Sequence, residues 1–201
     1  MRVIQHFTVI CLLAVTPYSA KAQSADPNFD ACFHKSGDEA ITACTAVIGS
    51  GQHSAAVVSL ALANRGLEYF GKRDFVRAGP DFIEAIRLDP KNAMAYFGRG
   101  SVYLMQNNYA AAIADLSKAI RLDPKDAMAF NNRGYAYLKQ KNYARAIADY
   151  TDVIRLSSQE EPTALYGRGL ARAQSGHAAE AQADMDRALS LDPKIAERFK
   201  K

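Results

Sequence analysis

Polar and apolar positions alternate along this chain with a period longer than any single element. Apolar residues three or four apart form a stripe, a short polar break follows, a second stripe comes after the break, and the pattern begins again. Tyr96, Gly100 and Tyr103 lie on one side of a first predicted helix, and Ala112, Leu116 and Ala119 lie on one side of a second. Gln106-Asn107-Asn108 is the turn between them. Leu122 closes the second helix; Asp123 is expected to cap the next, with Pro124 in its first turn, where a missing N–H costs nothing. Arg-Gly marks the stride, since Arg65-Gly66, Arg99-Gly100, Arg133-Gly134 and Arg168-Gly169 are separated by 34, 34 and 35 residues. Leu-Asp-Pro keeps step at Leu88, Leu122 and Leu191, while the third copy degenerates to Leu156-Ser157-Ser158 and gains one residue before Pro162.

Each period carries the same residue types at the same offsets. The first has Leu62, Gly66, Tyr69, Phe75, Ala78, Phe82, Ala85 and Pro90; the second has Tyr96, Gly100, Tyr103, Tyr109, Ala112, Leu116, Ala119 and Pro124. The third keeps Phe130, Gly134, Tyr137, Tyr143, Ala146 and Tyr150, and the fourth keeps Leu165, Gly169, Ala181, Ala188 and Pro193. This pattern resembles the tetratricopeptide repeat, a helix-turn-helix unit of 34 residues. The resemblance implies an all-α fold, a right-handed superhelical solenoid with repeats at 59–92, 93–126, 127–161 and 162–195. Small residues, Gly100 against Ala112 for example, are expected where the two helices of a repeat approach closely. Residues 196–201 form a tail or a short cap, with Ile195 and Phe199 one helical turn apart.

Residues 23–58 read as a degenerate hairpin ahead of the clear repeats. Phe29, Cys32 and Phe33 share one face of a short helix, Ser36-Gly37 breaks it, and Ser36 with Glu39 fits a capping box for a second helix. In an antiparallel pair folded about Asp38, Cys32 and Cys44 face each other, which predicts a disulfide; two buried thiols are the alternative. Residues 1–22 have the order of a secretory signal: Arg2, an apolar stretch from Val3 to Val15, then Ala20-Lys21-Ala22, with cleavage leaving Gln23 first. The uninterrupted apolar run from Val9 to Val15 is well short of the ~20 residues a spanning helix needs, so no membrane insertion is expected after cleavage. A periplasmic or secreted location follows, in which a disulfide persists.

Composition removes several classes of function. Hydrophobic residues at 49% and charged residues at 23% exclude a disordered chain. A net charge of +4 is far below the concentrated basic charge of a nucleic-acid binder. Phosphate-binding, zinc-protease and nucleophile-elbow motifs are missing from the sequence, and His34, His53 and His177 stand alone, so neither catalysis nor a metal or other cofactor is expected. Arg65 with Asp81, Arg99 with Asp115, Arg133 with Asp149 and Arg168 with Asp184 recur at one spacing. That recurrence favours a structural brace over a basic ladder for an acidic ligand.

What remains is surface. In the family that the repeats resemble, first helices line a concave groove, which here would present Leu60, Phe70, Met94, Phe97, Met105, Met128, Asn131, Tyr135, Lys139 and Tyr166. Leu67 and Leu104 are alternatively packing residues between neighbouring first helices. The family's clamp for a chaperone's terminal carboxylate is not supported, because Ala63, Leu67, Gly98 and Met128 stand where Lys or Asn is needed. The expected role is a non-enzymatic, bacterial-type scaffold that binds an unidentified protein or peptide. Self-association through the same apolar face is the alternative.

Overall fold

The computed structural model describes residues 27–200; the expected signal at residues 1–22 lies outside them. The described residues form helices joined by short turns, and they divide into two compact units, one ending at Leu88 and one beginning at Asp89.

The first unit contains α1 (Pro27–His34), α2 (Gly37–Gly49), α3 (Ala55–Gly71) and α4 (Phe75–Leu88). The second contains α5 (Ala93–Met105), α6 (Tyr109–Leu122), α7 (Ala127–Lys139), α8 (Tyr143–Leu156), α9 (Pro162–Gln174), α10 (Ala178–Leu191) and the single turn α11 (Ile195–Arg198). Consecutive helices pair as antiparallel hairpins, and within each unit the hairpins stack on one another.

Every clear hairpin turns in the same way. Arg73, Asn107 and Lys141 adopt left-handed backbone, with φ of 61°, 57° and 60°, and Gly176 does so at 88°. The following N–H reaches back to the fifth carbonyl behind it: Asp74 to Tyr69, Asn108 to Tyr103, Asn142 to Tyr137 and His177 to Arg172, at 2.8–3.0 Å. This closure satisfies the carbonyls left open at a helix end. The second helices α6 and α8 then start from Asn108 and Asn142, whose side chains accept from the N–H groups of Ala111 and Arg145.

Two caps differ from the sequence reading. Asp123 does not cap α7; its carboxylate accepts from Lys125 N–H at 3.1 Å in the intervening turn, and Asp126 accepts from Met128 and Ala129 instead. The Asp-Pro pair therefore belongs to the connection, which shifts the helix start three residues on. Ser36 occupies the N-cap position of α2 without a side-chain cap bond. The N–H of Gly37, in the first turn, is satisfied by the Glu68 carboxylate of α3 at 2.8 Å, a tertiary contact at the helix start.

Inside each hairpin the helices meet at one offset. A Cβ added to Gly66 would stand 2.8 Å from Phe82, one on Gly100 2.9 Å from Leu116, one on Gly134 3.3 Å from Tyr150 and one on Gly169 2.7 Å from Met185. Gly100 thus faces Leu116 rather than Ala112, because the larger side chain fills the gap that the glycine leaves. One residue earlier, each arginine grips its aspartate through two parallel bonds. Nε and Nη2 reach the two Asp oxygens at 2.8 and 2.7 Å for Arg65–Asp81, 2.7 and 2.9 Å for Arg99–Asp115, 2.9 and 2.8 Å for Arg133–Asp149, and 2.8 and 2.7 Å for Arg168–Asp184. The third arm crosses to the preceding hairpin: Arg65 donates to Thr45 at 2.9 Å, Arg133 to Ser117 at 3.0 Å and Arg168 to Thr151 at 3.4 Å. The four aspartates are buried. Burial raises the Asp149 carboxyl above its ordinary range, against the lowering effect of its bonds with Arg133.

Next to these braces, Tyr150 passes between α7 and α9. Its ring would stand 2.4 Å from a Cβ on Gly167, so a side chain at that position has no room. In the first unit, Cys32, Ala43, Cys44, Val47, Val57 and Ala61 form one cluster, in which the Cys32 and Cys44 Sγ atoms lie 2.11 Å apart. Asn64 donates to the Cys32 carbonyl and so ties the short helix α1 to α3.

Two outcomes test this packing. Gly167→Ala is expected to cost about 1–3 kcal/mol through overpacking against Tyr150. Tyr150→Leu in the same chain is expected to recover part of that loss, and Gly71→Ala, where a Cβ meets nothing within 4 Å, is expected to be harmless in urea denaturation. Arg133→Met strands a buried carboxylate and is expected to cost about 3 kcal/mol at neutral pH. A folded-state Asp149 pKa above its unfolded value penalises folding as pH rises through it, so this loss shrinks on acidification; urea midpoints measured across the carboxylate range check the sign.

Candidate interaction surface

In the second unit the first helices α5, α7 and α9 lie side by side. A hydrogen bond from Asn132 to the Ser101 hydroxyl, at 3.1 Å, joins α7 to α5. The side chains these helices do not spend on the core form a wall. Met128 is 52% exposed and Met105 51%, whereas Met94, Phe97, Asn131, Tyr135, Lys139 and Tyr166 are half-buried. Leu104 is buried in the core cluster and is a packing residue. Leu60 and Phe70 belong to α3 of the first unit, where both are half-buried and Phe70 packs on Phe75 across the turn with centroids 5.3 Å apart.

The wall is best defined between α7 and α9. Tyr135, Leu138, Lys139, Lys141, Tyr143, Leu170, Gln174 and Phe199 line a cavity of about 260 Å³. The Lys139 ammonium lies 5.2 Å from the Tyr135 ring centroid, a cation–π arrangement that holds positive charge at the rim. Phe199 stands 5.2 Å from Tyr166 and 6.3 Å from Tyr135, centroid to centroid. Two buried polar atoms, Asn131 Oδ1 on α7 and the Tyr150 hydroxyl, have no hydrogen-bond partner among the described residues. Burial pushes the Tyr150 phenol upward and keeps it protonated, able to donate.

Tyr135, Lys139 and Tyr166 thus come together, whereas Met94 and Phe97 lie on α5. Periodicity gives Tyr143 only as a repeat position and does not single out Lys141, though both follow the α7 turn into the cavity, and it gives Phe199 only as a cap residue. The one-turn spacing from Ile195 is the available signal. The repeated arginines are committed to aspartates and present no open basic ladder. The histidines are scattered: His34 lies 3.0 Å from the Asp30 carbonyl, His177 3.1 Å from the Ser175 hydroxyl, and the His53 ring 6.0 Å from that of Phe29. Among the described residues no group of His, Cys, Asp and Glu could hold a metal ion, and no helix is long and apolar enough to cross a membrane.

Family models described as tetratricopeptide repeat match residues 63–127, 127–159 and 162–195, which together make up more than half of the chain. The crystal structure of MamA is similar at 27% identity and a TM-score of 0.65, covering 80% of this chain and 91% of that one. The Arabidopsis OM64 TPR domain is 26% identical with a TM-score of 0.56, over 60% of this chain and 98% of that domain. The first TPR of Spaghetti (RPAP3), bound to the HSP90 peptide SRMEEVD, shares the fold at 24% identity and a TM-score of 0.54, over 58% and 95% of the two chains. No curated protein matches this chain. Proteins of this repeat family generally mediate protein–protein interaction and are generally non-catalytic. With the stride, the hairpin geometry and the family matches in agreement, the chain belongs to the tetratricopeptide-repeat family.

Proposed function

We propose that this protein is an exported, non-enzymatic scaffold that holds a segment of another protein along the wall of α5, α7 and α9. The observation that carries the reading is that wall itself: exposed methionines and half-buried aromatic rings stand beside a cavity, on helices whose opposite faces are fully used in packing. Methionine adapts to irregular surfaces and aromatic rings supply contact area at low entropic cost, which suits capture of a peptide. Tetratricopeptide domains similar in fold include one bound to a peptide, in agreement with this use of the surface. Export is supported by the signal-like order of residues 1–22, and an oxidising compartment favours a disulfide between Cys32 and Cys44.

Crosslinking, light scattering and analysis of the exported chain test the reading. A photo-crosslinking amino acid at Met128 is expected to trap a partner in extracts of the source cell. Met94→Glu combined with Phe97→Glu is expected to abolish that product with the thermal transition retained; unchanged recovery would sink the groove. Light scattering of the purified chain separates a foreign partner from a second copy. In the exported chain, N-terminal sequencing is expected to begin at Gln23, and neither cysteine of the unfolded, unreduced protein is expected to take up a thiol label. Reduction is expected to remove about 2–3 kcal/mol of stability from the first unit.

A further inference from the structure

The second helices turn one side away from their partners, and on α4 that side differs from its counterparts. Opposite the buried Ala78, Phe82 and Ala85 of α4 stand Val76, Pro80 and Ile83, with Val76 85% exposed and Ile83 54%. The corresponding places hold Ala110, Ala114 and Ser117 in α6 and Ala144, Ala148 and Thr151 in α8. Gly79 completes the α4 stripe, where α6 and α8 have Ile113 and Ile147. Glycine and proline are the two poorest helix formers, and here they sit together in the middle of a 14-residue helix. Neither serves packing within the chain. A Cβ on Gly79 would meet nothing within 4 Å, and Pro80 is exposed while its nitrogen cannot donate to the Val76 carbonyl. Local stability is given up at the same outward spot where two apolar side chains are left in water.

The stripe is symmetric about its centre. Val76 precedes the Gly79-Pro80 bond by as many residues as Ile83 follows it. A second copy of α4 crossing antiparallel at that bond sets Val76 on the partner's Ile83 and Gly79 under the partner's Pro80, and the same contacts recur with the copies exchanged. The absent side chain of Gly79 lets the two backbones approach closely there. Charge agrees with this direction. Arg77 and Glu84 lie on one flank of the stripe toward opposite ends of the helix, so the antiparallel copy brings each arginine to the other's glutamate, whereas a parallel copy opposes like charges. Within the chain they pair with Asp74 and Arg87 at 2.6 Å, on a surface where such pairs contribute little and are readily shared.

From these observations we infer that the outward face of α4 is an isologous contact between two copies of this chain, crossing antiparallel at Gly79 and Pro80. The contact lies wholly on the first unit and uses no residue of the wall proposed for a foreign segment. One helix pair buries on the order of a few hundred Å² from each copy, below the ~800 Å² of a standard interface, so the dimer forms and dissociates readily.

Sedimentation of the purified chain from about 10 µM to about 1 mM is expected to show an average mass rising toward that of two chains. Ile83→Lys is expected to weaken the dimer at least about tenfold, because each copy then sets an ammonium on the other's apolar face. Ala110→Lys, at the place of Val76 in the next hairpin, is expected to leave it unchanged. Gly79→Ile combined with Pro80→Ala gives α4 the residues of α6. That chain is expected to be more stable in urea and yet monomeric, a pair of results that a purely structural role for the two residues does not give. Register is read by oxidising a tagged Val76→Cys chain mixed with an untagged Ile83→Cys chain. The mixed disulfide is expected to dominate, because two copies of residue 76 would stand about 10 Å apart along the helix axis. A chain that stays single up to about 1 mM overturns the proposal, as does a dimer that Ile83→Lys leaves unweakened or that crosslinks residue 76 to itself in preference. Met94→Glu with Phe97→Glu is expected to dimerise like the unaltered chain. Loss of the dimer there would assign the contact to the wall and overturn the one on α4.

Discussion

The first helix of each hairpin presents a glycine to a bulky side chain sixteen residues on, and the arginine before that glycine to the aspartate before that side chain. These two contacts do different work at the same place. The missing Cβ lets the helix axes approach until Phe82, Leu116, Tyr150 or Met185 fills the gap, and dense packing there supplies attraction without direction. The paired hydrogen bonds of the guanidinium supply direction, since a fork meets a carboxylate in one orientation. Sliding the hairpin by a single residue would break both at once. Arg65, Arg133 and Arg168 extend the constraint to the preceding hairpin through Thr45, Ser117 and Thr151, so stacking within each unit uses the same side chain as pairing.

The core is assembled from both helices of each hairpin, and the first helices of the second unit keep one side outside it. The proposed working surface is that side of α5, α7 and α9 in the second unit, where the cavity and the half-buried tyrosines lie. The first unit meets a different problem, because α1 has eight residues and cannot bury much surface. Asn64 from α3 donates to the Cys32 carbonyl, and Cys32 and Cys44 lie together in the buried cluster of this unit, which holds α1 in place.

Much of this was legible in the sequence because a stride of 34 residues projects directly onto hairpin geometry. Arg133 and Asp149, recognisable only by spacing, are two hydrogen bonds in space. What the sequence hid was decided by competition between neighbours. Asp123 looks like a cap, but Asp126 lies three residues closer to the helix and takes the role. Ser36 looks like half of a capping box, but its side chain makes no cap bond, and the helix start is tied through the Gly37 N–H, which donates to Glu68 of another helix. Phe199 follows a helix of one turn, too short for periodicity to show which side it faces, and its place against Tyr166 is a fact of tertiary structure alone.

Repeats of one stride look interchangeable, and the path of Tyr150 makes them otherwise. Its ring crosses to the next hairpin and stands where any side chain at residue 167 would be, so the fourth repeat has glycine there, while the third has Asn132 at the corresponding place and follows a hairpin that carries the shorter Leu116. The repeats therefore form an ordered alphabet: a duplicate of the third repeat, inserted directly behind the original, would drive the Tyr150 phenol into the copied asparagine. The array cannot be lengthened by copying that unit without also changing a residue on one side of the new seam.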